Sequence, residues 1–155
     1  MSVRTSVRWY QLACLITMVT GVICALASHP ATDGVWLFLF DMLKWPIDAN
    51  PGAFNDDTRA VNAVLGGTMV GWGLLMYLLT NHIVTNAALA RSVLLALIAW
   101  FVVDSAGSVL AGLPGNILLN AAFLVLFVPP LRMLPRATAH PYDCSGVLRP
   151  AISRS

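Results

Sequence analysis

From Trp9 to Ser28 the chain passes about twenty residues without a formal charge, and long apolar runs recur near 60–80, 91–111 and 116–134. A helix rises 1.5 Å per residue, so about twenty apolar residues match the hydrocarbon core of a bilayer. Backbone amides find no water there, and a helix satisfies them internally. Four such runs predict an all-α fold, a polytopic membrane four-helix bundle. Composition agrees: 58% of the 155 residues are hydrophobic and only 10% are charged, whereas a soluble domain carries about 25% charged residues. The membrane domain is expected over 1–134, with crossings at 9–28, 60–80, 91–111 and 116–134. Residues 135–155, rich in proline and polar residues without periodicity, read as a mobile cytoplasmic tail.

The second run is the most distinctive. Asn62 to Tyr77 reads NAVLGGTMVGWGLLMY, with glycine at 66, 67, 71 and 73. In water each glycine would cost a helix roughly 1 kcal/mol relative to alanine. In lipid, small residues let a neighbouring helix approach closely. Ala63, Gly67 and Gly71 fall four apart as a small-xxx-small ridge, and Gly66 lies beside it. Packing within the chain is the expected use of this face; a homodimer interface is the alternative.

Between the first two crossings, Gly34 to Asp48 reads GVWLFLFDMLKWPID. It is too short to cross, and Asp41, Lys44 and Asp48 would share one helical stripe beside Trp36, Phe38, Phe40 and Trp45. That pattern fits a short interfacial amphipathic helix or a connector packed on the bundle. Pro46 is expected to end it, and Asn50-Pro51-Gly52 marks a turn. Asp56, Asp57 and Thr58 are candidates for capping the next helix. Residues 81–90 read as a connector, and Gly112-Leu113-Pro114-Gly115 as a tight turn that makes the third and fourth crossings antiparallel neighbours. Pro129-Pro130 should kink or fray the last crossing. The first crossing has features of a signal peptide, with Ala25-Leu26-Ala27 as a cleavage site, but its apolar stretch exceeds the usual 7–15 residues. It is expected to be retained.

Counting Lys and Arg on alternate sides gives Arg4, Arg8, Arg91, Arg132, Arg136, Arg149 and Arg154 against Lys44 and Arg59. By the positive-inside bias both termini are cytoplasmic. Asp104 lies thirteen residues past Arg91, a rise of about 20 Å, which sets it in the outer third of the membrane. Arg59 and Asn62 open the second crossing on that side, and Asn116 and Asn120 open the fourth. Ser105 and Ser108 flank Asp104. An ionised carboxylate facing lipid costs at least ~2.5–3.5 kcal/mol, so Asp104 should turn inward, with Arg59 as its expected cation. Asn62 and Asn120 would satisfy its remaining lone pairs, and Asp41, Lys44 and Asp48 are possible contributors. The cluster is either a structural clasp fixing which helices pair or an outward-opening pocket that binds a small polar or amphipathic ligand or passes a proton. Trp9, Tyr10, Trp36 and Trp45 read as interfacial anchors, and Trp72 and Trp100 as packed within the bundle.

The sequence offers no recognisable nucleophile–base pair, phosphate loop or metal-ligand spacing, so no catalytic residue, metal or cofactor is assigned. The net charge of +2 without a basic patch argues against nucleic acid. With Arg59, Ala60, Gly66 and Gly67, the run Asp104-Ser105-Ala106-Gly107 and the turn Leu113-Pro114-Gly115-Asn116, the chain resembles small bacterial four-helix integral membrane proteins. These include the DoxX-like group and related families without an assigned activity. The resemblance implies a bacterial inner-membrane location and no catalytic residue. The expected function is that of a non-enzymatic binding, accessory or assembly subunit, whose partners are the lipid bilayer and a membrane protein or second copy. The alternative is a lipid-pocket enzyme or small-ligand carrier using Asp104.

Overall fold

The computed structural model describes residues 3–44 and 52–133, and every regular element among them is a helix. In chain order these are α1 (Val3–Leu26), α2 (Gly34–Leu43), α3 (Asp56–Leu78), α4 (Thr80–Thr85), α5 (Ala87–Leu110) and α6 (Asn116–Met133). Four of them, α1, α3, α5 and α6, are long and apolar enough to cross a membrane. Asp48, Trp45, Pro46 and the expected tail lie outside the described residues.

Local chemistry sets the helix ends. Asn55, rather than the acids after it, caps α3 by accepting from the Thr58 N–H at 2.8 Å. Asp56 and Asp57 then occupy its first turn, where the helix dipole favours negative charge. Asn86 caps α5 by accepting from the Ala88 and Leu89 N–H groups. At its other end, Gly112 adopts a φ of +75°, the Leu113 N–H bonds the Ser108 carbonyl at 2.8 Å and the Gly112 N–H bonds that of Val109 at 3.1 Å. This pair of bonds is a Schellman closure, and its left-handed residue favours glycine. The expected connector at 81–90 begins as the short helix α4, which buries Thr80 and Ile83 against the core. Helix α6 continues through Pro129 and Pro130 to Met133.

Helix α1 is the central element, packed along α3 on one side and α6 on another, while α5 rests on α6 and α4. Successive long helices alternate in direction, so one end of the bundle gathers α2, the start of α3 and the α5–α6 turn. Helix α4 lies at the other end. The α1–α3 contact is glycine to glycine. A Cβ on Gly66 would collide with the backbone of Gly21 and Ala25, and one on Gly73 would stand 3.0 Å from the Cys14 carbonyl oxygen. The ridge expected from Ala63, Gly67 and Gly71 is instead exposed, and a Cβ at Gly67 or Gly71 would meet nothing within 4 Å. The buried stripe is Asn62, Gly66, Gly73 and Met76. It lies on the neighbouring face because α1 brings its own small residue, Gly21, opposite Gly66.

An aromatic chain ties the middle together. Tyr10 meets Phe127 edge-on at 5.7 Å, Phe127 lies 6.2 Å from Trp72, Trp72 5.7 Å from Trp100, and Trp100 6.2 Å from Phe123. Each such pair is worth about 0.5–1.5 kcal/mol beyond the area it buries. Trp72 and Trp100 pack within the bundle, as their depth in the sequence suggests. Tyr10, by contrast, is fully buried and Trp36 nearly so, so neither is an exposed anchor. Tyr10 lies on the α1 stripe that faces Phe127, and Trp36 is the residue by which α2 seats on Cys24 and Ala27. Helix α2 leaves Val35, Phe38 and Met42 exposed on its other side.

Candidate functional site

The polar residues at the α2 end divide into two groups that do not meet. In the first, the Arg59 guanidinium donates to Asp33 Oδ2 at 2.8 Å and to the Ala27 carbonyl at 3.4 Å. Both side chains are largely covered, at 13% and 10% exposure. Arg59 is therefore not the partner of Asp104. The reason is topological: α3 lies along α1, so its first turn meets the loop that leaves α1, whereas α5 stands against α6. Asp33, at the start of α2, was not among the expected cluster residues. Its signal in the sequence was position alone, an acid just past the end of the first crossing on the side where Arg59 opens the second.

Asn62 also turns away from Asp104. It is buried on the α1 face, where its backbone carbonyl accepts from the Cys24 thiol at 3.4 Å. Its side-chain Nδ2 is buried and has no hydrogen-bond partner among the described residues. Asp41 is buried on α2 and Lys44 is exposed at its end.

The second group joins α5 to α6. Asn116 Nδ2 donates to Ser108 Oγ at 2.8 Å and to Asp104 Oδ1 at 3.3 Å. The Ser108 hydroxyl also approaches Asp104 Oδ1 at 3.3 Å. One turn deeper, Asn120 Nδ2 donates to Ser105 Oγ at 3.2 Å, in a buried pair. The expected residues Asp104, Ser105, Ser108, Asn116 and Asn120 thus come together, with Asn116 rather than Asn62 or Asn120 serving the carboxylate. The tight turn brings this about: the Schellman closure anchors on the Ser108 carbonyl, and Asn116 opens the returning helix.

Asp104 is under-served by these partners. Charge-assisted bonds to a carboxylate run about 2.5–2.7 Å from a hydroxyl and 2.7–2.9 Å from nitrogen, and both of its contacts are longer. Both also fall on one oxygen. Among the described residues Oδ2 has no hydrogen-bond or ionic partner, and the residue is partly exposed. Ser105 and Asn120 form a neutral, sealed bridge; Asp104 forms an open edge.

No family model, curated protein or solved structure matches the chain. The class it defines is therefore structural: an all-helical protein with four helices of membrane-crossing length and character. Within that class, its particular mark is an acid nearly two turns below the end of the third long helix, held by one hydrogen bond from that helix and one from the fourth.

Proposed function

We propose that the chain is a multi-pass protein of a bacterial inner membrane, with both termini cytoplasmic, acting as a non-enzymatic binding or accessory subunit. Its outward-facing end would carry the recognition. Four helices of crossing length support the membrane reading, since most of their surface is exposed and apolar: Val64, Leu78, Leu95, Val103, Leu110, Leu118 and Val125 all stand more than 60% exposed. In water that surface would be an aggregation liability. The seven-to-two distribution of basic residues supports the orientation. The bacterial inner-membrane location is what the resemblance to DoxX-like proteins implies.

One observation carries the binding reading. Asp104 sits within an apolar span, yet its hydrogen bonds reach only one carboxylate oxygen and no cation neutralises it among the described residues. A carboxylate kept only as a clasp would be fully paired, because a half-satisfied polar network is worse than an apolar core. The same observation favours a second reading, a small-ligand carrier or lipid-pocket enzyme using Asp104.

The test is purification of the full-length protein from bacterial membranes in a mild detergent. A stoichiometric protein partner supports the accessory subunit, and a stoichiometric lipid lost on Asp104→Ala supports the carrier. A protein released from membranes by alkaline carbonate would sink both.

A further inference from the structure

Helices α3 and α5 meet through the Trp72 and Trp100 indoles, at 5.7 Å, and are not otherwise packed along each other. On α3, the residues continuing the Trp72 face, Thr68 and Leu65, are exposed. On α5, the residue continuing the Trp100 face is Asp104, four positions on and about 6 Å along the axis, and it too is partly exposed. Beyond it Gly107 and Ala111 are exposed and carry little or no side chain. The two helices therefore bound a groove that opens sideways. Its floor is a pair of indoles, and Asp104 stands on one wall. Asn116 and Ser108 hold Asp104 Oδ1, and among the described residues no group bonds Oδ2.

We propose that this groove seats the ammonium headgroup of a phospholipid, with the ammonium N–H groups donating to Asp104 Oδ2 and its charge lying over the Trp100 ring. The assignment rests on the membrane reading above and on charge complementarity. Among the described residues no cation meets Asp104, and in a low-dielectric flank a carboxylate is best matched by one. An ammonium supplies three donors and no acceptor, and an indole face attracts the same charge. Anionic headgroups are repelled by the same carboxylate. The sideways opening favours a ligand arriving from the lipid phase.

The experiment uses full-length protein that has first resisted alkaline carbonate extraction, so failure of the membrane reading shows at that step and failure of the ligand shows after it. The protein in a neutral maltoside is mixed with equal phosphatidylethanolamine and phosphatidylglycerol of matched chains, and retained lipid is counted by native mass spectrometry. Phosphatidylethanolamine should be retained over phosphatidylglycerol by about tenfold, the scale of one hydrogen bond to a charged group. Asp104→Asn, which keeps the shape and the contacts to Ser108 and Asn116, should abolish the preference. Asp104→Glu should keep part of it, and Asp57→Asn, an exposed acid at the same end, should leave it unchanged. Equal retention of the two lipids by the wild-type protein overturns the proposal, whatever the variants do. So does an undiminished preference in Asp104→Asn, or displacement of the lipid by free phosphoethanolamine, which would mark a soluble ligand.

Discussion

Gly21 and Gly66 face each other so closely that a Cβ on Gly21 would stand 2.8 Å from the Gly66 carbonyl oxygen. The obstacles on both sides are backbone atoms and the Cβ atoms of Met69 and Ala25, none of which can swing aside. The α1–α3 pair depends on both positions lacking a side chain. Seven residues further along α3, Gly73 repeats the device against Cys14 and Met18.

Alanine at Gly21 or Gly66 should therefore cost about 1–3 kcal/mol, the usual range for overpacking, and more if the helices must separate. Alanine at Gly67 or Gly71 should be neutral, or stabilising by up to about 1 kcal/mol from helix propensity. Reversible unfolding in mixed detergent micelles would measure all four. If Gly67→Ala and Gly71→Ala proved the damaging pair, the close approach would lie between copies of the chain and not inside it.

The α5–α6 turn makes a second, independent demand on glycine. Gly112 holds a φ of +75°, and an L-residue pays roughly 1–2 kcal/mol for the left-handed region. Gly112→Ala should lower stability by that amount, although nothing lies within 4 Å of its would-be Cβ. Gly112→Asn should recover part of the loss, because asparagine tolerates this conformation better. Thermal unfolding followed by tryptophan fluorescence would show the order wild type, Asn, Ala. An equal loss for Asn and Ala would point away from backbone strain.

Helix α1 bears on the processing of the chain. Ser6, Tyr10, Ala13, Cys14, Thr17, Gly21 and Cys24 are all buried by it, and both α3 and α6 lean on it. Cleavage after Ala27 would strip α3 of its glycine partner and expose the Phe127 ring. The intact mass of protein extracted from membranes should thus retain α1. A mature amino terminus at Ser28 would require the remaining helices to repack around a different centre.

Much of this architecture was legible in the sequence, and the parts that were not share a cause. The four long helices follow from apolar length, and their ends from Asn55, Asn86 and Gly112, because these are local effects. The pairing of Asn116 with Asp104 and Ser108, and of Asn120 with Ser105, was within reach because a tight turn forces α5 and α6 together. Charge and depth alone point Arg59 to Asp104. Depth says how far along the axis a residue lies and nothing about which neighbour its helix has. The same blindness to rotation selected the ridge of Gly67 and Gly71 over Gly66 and Gly73. It also placed Tyr10 at the surface instead of against Phe127. A helix with apolar residues all round carries no moment to show which face is inward. The seven-residue step from Gly66 to Gly73, matched by Gly21 on α1, was the available clue.

Arg59 provides the sharpest test of the arrangement at the α2 end. Its ion pair with Asp33 is largely but not fully covered, so removing either partner should cost roughly 2 kcal/mol, below the 3–5 kcal/mol seen for fully buried pairs. In a double-mutant cycle, Asp33→Asn and Arg59→Gln should couple by about 1 kcal/mol or more, since each alone strands the other's charge. Arg59→Gln and Asp104→Asn should instead add to within about 0.5 kcal/mol, as expected for sites without a shared partner. Both cycles can be run by reversible unfolding in the same mixed micelles. Strong coupling between Arg59 and Asp104 would mean that α3 and α5 close on each other at this end, and the groove above the indoles would vanish with it.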